Sequence, residues 1–244
     1  LPTTSEKRAL PSACTPPRRT LKRKDIGHAG TLDPDASGLL VVLLGEATKL
    51  SDVLLNKDKS YLVDVRFGQK TDSGDLAGTV IETSLVRPQE QDVMIAVAKL
   101  VGSFEWEVPI YSAVKVDGKK LYEYARAQEA VVKPVKTMTF TRAELLHVSS
   151  DQVSVELCCS KGSFMRVWAE KLGEALGTVS LASGIRRTVS GPYKLEQALP
   201  LNSITAENAY SGAHWVPLDH TLPDWPSLRV EGAEERLKIG RAHV

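Results

Sequence analysis

The chain has 244 residues, 42% hydrophobic and 25% charged, with 31 Lys and Arg against 30 Asp and Glu and a formal net charge of +1. That length accommodates one large domain, or one domain with a fragment beside it, and the composition is that of an ordinary globular protein. A balance so near zero excludes a strong overall field for nucleic acid, so any such surface has to arise from uneven placement of the basic residues.

Residues 1–20 read as an irregular lead-in, because Pro2, Pro11, Pro16 and Pro17 interrupt any periodicity and no apolar run accompanies them. Arg18-Arg19-Thr20-Leu21-Lys22-Arg23-Lys24 is a concentrated positive patch, which fits a solvated tail or a surface meeting RNA phosphates. Gly27-His28-Ala29-Gly30-Thr31-Leu32-Asp33-Pro34 then places one carboxylate in a glycine-rich setting. Gly27 and Gly30 permit positive φ and close approach of a ligand, and Pro34 stiffens the turn. Taken alone, the stretch also fits a plain turn whose Asp side chain bonds nearby amides. The apolar run of residues 38–45 predicts a buried strand and is far too short to cross a membrane.

Residues 59–67 alternate, with Tyr61, Val63, Val65 and Phe67 on one face and Asp64 and Arg66 on the other, which predicts a half-buried strand. Residues 68–75 read as a loop and 78–81 as a returning strand. Residues 88–101 predict a helix with Val93, Val97, Leu100 and Val101 on one stripe, and residues 119–128 a second with Leu121, Tyr124, Ala125 and Gln128. Two strands are expected over 135–147 and 152–159. Ser163 is placed to cap a third helix running to Leu176 and ended by Gly177, with Met165, Ala169, Leu172 and Leu176 inward. Beyond about residue 200, Trp215-Val216-Pro217-Leu218-Asp219 and Leu222-Pro223-Asp224-Trp225-Pro226 read as extended linker. His214 and His220 lie close in sequence, but no thiolate or matching carboxylate set accompanies them, so no metal is assigned. Cys14, Cys158 and Cys159 form neither a framework nor a Cys-x-x-Cys pair, and the start lacks the apolar core of a signal peptide; the expectation is a reducing cytoplasm.

Residues 27–34, followed by Asp35-Ala36-Ser37-Gly38-Leu39-Leu40 and Gly45-Glu46-Ala47-Thr48-Lys49, resemble the signature of the TruB family of tRNA pseudouridine synthases. Four further segments carry the same resemblance: Lys59-Ser60-Tyr61, the block from Tyr111 to Arg126, Ser160-Lys161-Gly162-Ser163-Phe164-Met165-Arg166, and Leu181-Ala182-Ser183-Gly184-Ile185-Arg186-Arg187-Thr188. Departures are modest, with Glu107 and Ile110 in place of a usual Gln and Pro, and Phe164 where Tyr is common. The resemblance implies an α+β pseudouridine synthase catalytic fold over residues 21–200, built on a mixed, mostly antiparallel central sheet flanked by helices. Residues 201–244 would be a linker and the truncated start of a C-terminal RNA-binding domain. Residues 1–20 are atypical, since family members usually open with a short apolar strand, a Lys-Pro turn and a helix; with Leu1 first, a fragment or a reading-frame error is the expectation. Residues 238–244 match one translated frame of a common sequencing adapter and are expected to be an assembly artefact.

The resemblance also implies an activity. Uridine 55 in the T-arm of tRNA is converted to pseudouridine by breaking its N1–C1′ bond, rotating the uracil and rejoining it through C5. No redox change occurs and no cofactor is needed. Asp33 is then the essential carboxylate, acting on base or ribose. An acid that must stay charged in a pocket needs a cation beside it, and Arg166 is the candidate; its other reading is a surface residue of an amphipathic helix. Tyr61 would stack on the extruded base and relay a proton, or serve as a core aromatic. His28 would hold displaced RNA structure, or bond locally in a turn. Asp72, Lys115, Phe164 and Arg187 are the further RNA-side candidates, with Lys22, Arg23 and Lys24 on phosphates. The implied partner is tRNA, with no membrane, no obligate protein partner and a monomeric state. Two other readings compete: a non-catalytic RNA-binding or tRNA-folding module, and a guide-dependent relative acting on ribosomal RNA.

Overall fold

The computed structural model describes residues 15–226. The expectations for residues 1–14 and for the adapter-like residues 238–244 lie outside the described residues. In chain order the elements are α1 (Thr15–Thr20), β1 (Ile26–His28), β2 (Ser37–Gly38), β3 (Val42–Leu44), α2 (Ser51–Leu55), β4 (Lys59–Phe67), β5 (Gln69–Thr71), β6 (Val80–Thr83), α3 (Glu90–Lys99), β7 (Gly102–Glu107), β8 (Lys115–Val116), β9 (Lys119–Lys120), α4 (Leu121–Ala127), β10 (Val135–Val148), β11 (Gln152–Cys159), α5 (Met165–Ala175), β12 (Ser180–Ser190) and β13 (Tyr193–Lys194).

Period-two sequence builds the centre of the molecule. The main sheet runs β13-β12-β4-β11-β10-β7 with every neighbouring pair antiparallel, and β2 joins β12 in parallel. Val63, Val65 and Phe67 of β4, Val153, Val155 and Leu157 of β11, and Met138 and Phe140 of β10 turn one face of this sheet inward. Onto it pack Val93, Ala96 and Val97 of α3 and Trp168, Ala169 and Leu172 of α5. The fold is α+β, as the alternation and the helical stripes imply.

Some elements differ from expectation. Residues 15–20 form a short helix, not an irregular lead-in. The third helix is not capped by Ser163, whose hydroxyl instead accepts the Thr139 amide at 3.1 Å, leaving Phe164 at the N-cap position with no side-chain cap. In α3 the inward residue is Ala96, because the helix ends at Lys99 and Val101 falls out of phase. Residues 69–71 pair with β6, so the expected loop begins with a strand. The apolar run 38–45 is not one strand. Gly38 takes φ +101°, and a Cβ there would lie 2.2 Å from the Arg187 carbonyl oxygen; the chain then turns so that Val42–Leu44 pairs with β1. Gly30 has φ +111°, as foreseen, whereas Gly27 lies within the extended strand β1. The segment after residue 200 is irregular but docked: Tyr193 Oη donates to the Thr221 carbonyl at 2.7 Å, and Leu222 packs on a second small core of Ala29, Leu43 and Leu54.

Trp168 is fully buried, stacks obliquely on Phe140 and donates its indole N–H to the Leu100 carbonyl at 3.2 Å, which ties α5 to the end of α3. Trp168→Ala is expected to cost about 3–5 kcal/mol of unfolding free energy, through lost burial and the cavity left behind; equilibrium urea unfolding of both proteins checks this.

Candidate active site

Arg166 sits in the first turn of α5, one residue inside a helix whose Trp168, Ala169 and Leu172 are core residues. Its side chain is therefore delivered to a fixed place, and it is a cation at 3% exposure. Burial of that charge demands partners for its donors. Nε donates to Asp33 Oδ2 at 2.9 Å, Nη1 to the Ser73 carbonyl at 2.8 Å and Nη2 to the Tyr111 carbonyl at 2.9 Å, while Asp75 Oδ2 lies 3.7 Å from Nη1. The Arg166–Asp33 contact is a charge-assisted hydrogen bond between segments 133 residues apart. The Asp33 side chain is 41% exposed, so its carboxylate is clamped on one side and open on the other.

The arc carrying Asp33 is held from beneath by Arg187. Expected to face RNA, Arg187 instead is 1% exposed. Its Nε donates to the Leu39 carbonyl at 2.7 Å, Nη1 to that of Thr31 at 3.1 Å and Nη2 to that of Gly30 at 3.2 Å. A guanidinium buried and engaged in this way is not presented on the RNA-facing surface, so in place of the expected RNA contact the structure shows Arg187 supporting the loop. Tyr61, on β4, is the register partner of Arg187 on β12 and of Leu157 on β11. It is half-buried against the main core. Burial lifts its phenol above the usual tyrosine range and Asp33 adds to the rise, while the Arg187 guanidinium acts the other way.

The structure thus gathers Asp33, Tyr61 and Arg166. His28 closes β1, half-buried, with Nδ1 lacking a hydrogen-bond partner among the described residues. Asp72 is exposed, accepts the Thr79 amide at 2.8 Å and the Tyr111 hydroxyl at 3.3 Å, and so shapes its own turn. Phe164 packs on the main core at the start of α5, and Lys115 is exposed on the β8–β9 hairpin. In the basic segment Lys22 and Lys24 are exposed, while Arg23 is engaged by Asp25. Sequence reasoning missed Asp75. Its signal was Gly74, at φ +74°, where a Cβ would meet Arg166 Cβ at 3.4 Å, so this loop packs directly on α5. No cluster of three or more His, Cys, Asp or Glu that could hold a metal occurs among the described residues.

Residues 18–165 match the family model described as TruB family pseudouridylate synthase, N-terminal domain. The chain is 42% identical, over 93% of its own length and 74% of the relative's, to tRNA pseudouridine synthase B of Bdellovibrio bacteriovorus. It is 41% identical to the protein of the same name from Burkholderia mallei, over 88% of this chain and 72% of that one. The chain belongs to the TruB family. Among solved structures it is similar to a chain of a Cbf5-Nop10-Gar1 complex, with TM-score 0.55 and 26% identity over 73% of this chain and 44% of that one. It also shares its fold with a chain of an H/ACA RNP bound to a substrate RNA containing 2′-deoxyuridine, with TM-score 0.58 and 21% identity over 78% and 47%. The chain spans about half the length of these structural neighbours.

A third buried cation of this TruB-family chain, after Arg166 and Arg187, is Lys59. Lys59 Nζ donates to the carbonyls of Leu54, Leu55 and Lys57 at 3.3, 2.8 and 2.6 Å and so finishes α2. Burial, with the Arg187 guanidinium nearby, pulls its ammonium down to about 8 from the usual 10.5. The folded protein releases this proton near pH 8, while the unfolded chain holds it to about 10.5. Folding is therefore favoured increasingly as pH rises through that window, and the gain is lost as pH falls through 8. Relative to Lys59→Met, the wild type should gain stability between pH 8 and 10.5, read as a widening gap in urea midpoints.

Proposed function

We propose that this chain isomerises uridine 55 in the T-arm of tRNA to pseudouridine, with Asp33 as the essential carboxylate. The observation that carries this reading is the half-open Asp33, fixed from behind by buried Arg166 and neighboured by Tyr61. Isomerisation asks for a group that can bond transiently to carbon and then leave. The open face of Asp33 is available for that bond, to base or ribose. The N1–C1′ bond breaks, the C5–C1′ bond forms, and the proton displaced from C5 is balanced by one gained at N1. No electron leaves the pair of reactants, so the reaction needs no redox cofactor.

A uridine within a folded arm has to be extruded before it reaches Asp33, at a cost of a few kcal/mol. Stacking on Tyr61 offsets about 1–3 kcal/mol of this. The raised phenol of Tyr61 stays protonated at neutral pH and is a donor for the flipped base. His28, Asp72, Lys115 and Phe164, with Lys22, Arg23 and Lys24, are proposed on the RNA side. Phe164 supplies a stacking face without the hydroxyl a tyrosine would add. Residues 21–200 are the proposed catalytic unit, and 201–244 a linker with the start of an RNA-binding domain. The reading is completed by tRNA as partner, a monomer without an obligate protein partner, and a cytoplasmic location; no helix among the described residues is long and apolar enough to cross a membrane. The curated relatives at 41–42% identity are named for tRNA, whereas the similarity to the Cbf5 chain is 26% over 44% of its length, so a guide-dependent role is not favoured.

Tritium release from tRNA labelled at uracil C5 tests the proposal. Asp33→Asn should lose turnover by roughly 10⁴-fold or more, while tRNA affinity stays within a few-fold. An Asn variant that turns over like wild type would refute the role given to Asp33. Unchanged RNA binding with no release from either protein would favour a non-catalytic module.

A further inference from the structure

Arg187 is unlike Arg166 in one respect: no carboxylate lies within ion-pair distance of it among the described residues, and its donors go to three backbone carbonyls and to the Tyr61 hydroxyl. A buried guanidinium without an anion is retained at a cost. The three carbonyls all belong to one arc, Gly30 and Thr31 at its near end and Leu39 at its far end. The backbone of Arg187 grips the same far end, since its carbonyl accepts the Leu39 amide at 2.8 Å and β2 pairs with β12 at Arg187↔Gly38. Gly38 is close-packed against that backbone, with no room for a side chain. One residue therefore closes both ends of the loop that presents Asp33. On its other side it faces Tyr61 across the β12–β4 ladder.

Building on the isomerase reading, we propose that Arg187 is a positioning residue for the reaction. It fixes the arc of residues 30–39 so that Asp33 meets the base, and it supplies the positive charge beside the Tyr61 hydroxyl. The forked side chain suits this task, because donors diverging from one plane reach carbonyls at two ends of a loop, which a lysine point charge does not match. Displacement of a reacting group by about 1 Å costs on the order of 100-fold in rate.

The test compares wild type, Arg187→Lys and Arg187→Met by thermal unfolding, tRNA affinity, single-turnover tritium release at saturating tRNA, and ultraviolet titration of Tyr61. The Tyr61 signal is obtained by subtracting the matching Tyr61→Phe protein. Arg187→Met is expected to lose about 100-fold in single-turnover rate, with tRNA affinity within about threefold, and to titrate Tyr61 at higher pH. Arg187→Lys should keep the Tyr61 titration near that of wild type and still turn over slowly, separating charge from geometry. If Arg187→Met does not fold, Arg187→Lys decides: a wild-type rate in that protein overturns the proposal. Weakened tRNA binding with an unchanged saturated rate would also overturn it, returning Arg187 to an RNA contact. So would an unmoved Tyr61 titration in folded Arg187→Met. A wild type that releases no tritium sinks the isomerase reading instead, and the Tyr61 titration then still reports on Arg187.

Discussion

Three stretches that are remote in sequence meet on one buried guanidinium. Arg166 receives the Asp33 carboxylate, the Ser73 carbonyl and the Tyr111 carbonyl, and stands near Asp75. None of these stretches is a long regular element. Their mutual placement follows from a buried cation each of whose three nitrogens needs an acceptor. Arg166 in turn inherits its position from α5, where Trp168, Ala169 and Leu172 lock the helix onto the sheet. Precision at Asp33 is thus borrowed from packing elsewhere, which is how a loop can hold a reactive group to the tolerance that chemistry requires.

What was legible in the sequence was legible because it is local. Residues 59–67 and 152–159 emerge as strands with the predicted bounds, since each shows one face to a core and the other to solvent at a period of two. The helix bearing Arg166 was readable from its apolar stripe, whereas its pairing with Asp33, 133 residues away, was specific only through the resemblance to the family. What failed was set by distant partners. The run 38–45 reads as one strand, yet the Leu39 amide and carbonyl are both committed to Arg187, 148 residues away, and the chain has to turn at Gly38. Of two acids in Thr71-Asp72-Ser73-Gly74-Asp75, the one nearer Arg166 is Asp75; spacing alone cannot say which faces α5. Arg187 is expected on the RNA side because its segment resembles a substrate-contacting stretch, and an arginine beside another arginine carries no local mark of burial.

The Asp33 arc lies between two cations of different kind. Arg166 meets it with a charge-assisted bond to a side chain, and Arg187 with bonds to its backbone. Leu39 is buried at one end and Ala29 and Gly30 at the other, but Thr31, Pro34 and Asp35 between them are exposed. Hydrophobic burial therefore pins the ends of the arc and leaves its crest to polar interactions, which places the crest among the parts of a fold with low local stability. Charges can then retune the crest with little consequence for the core. On the isomerase reading, a loop that admits an extruded base and afterwards releases it is served by this division: a packed apolar sheet beneath, and a carboxylate whose orientation is set by two guanidinium groups, with one open side.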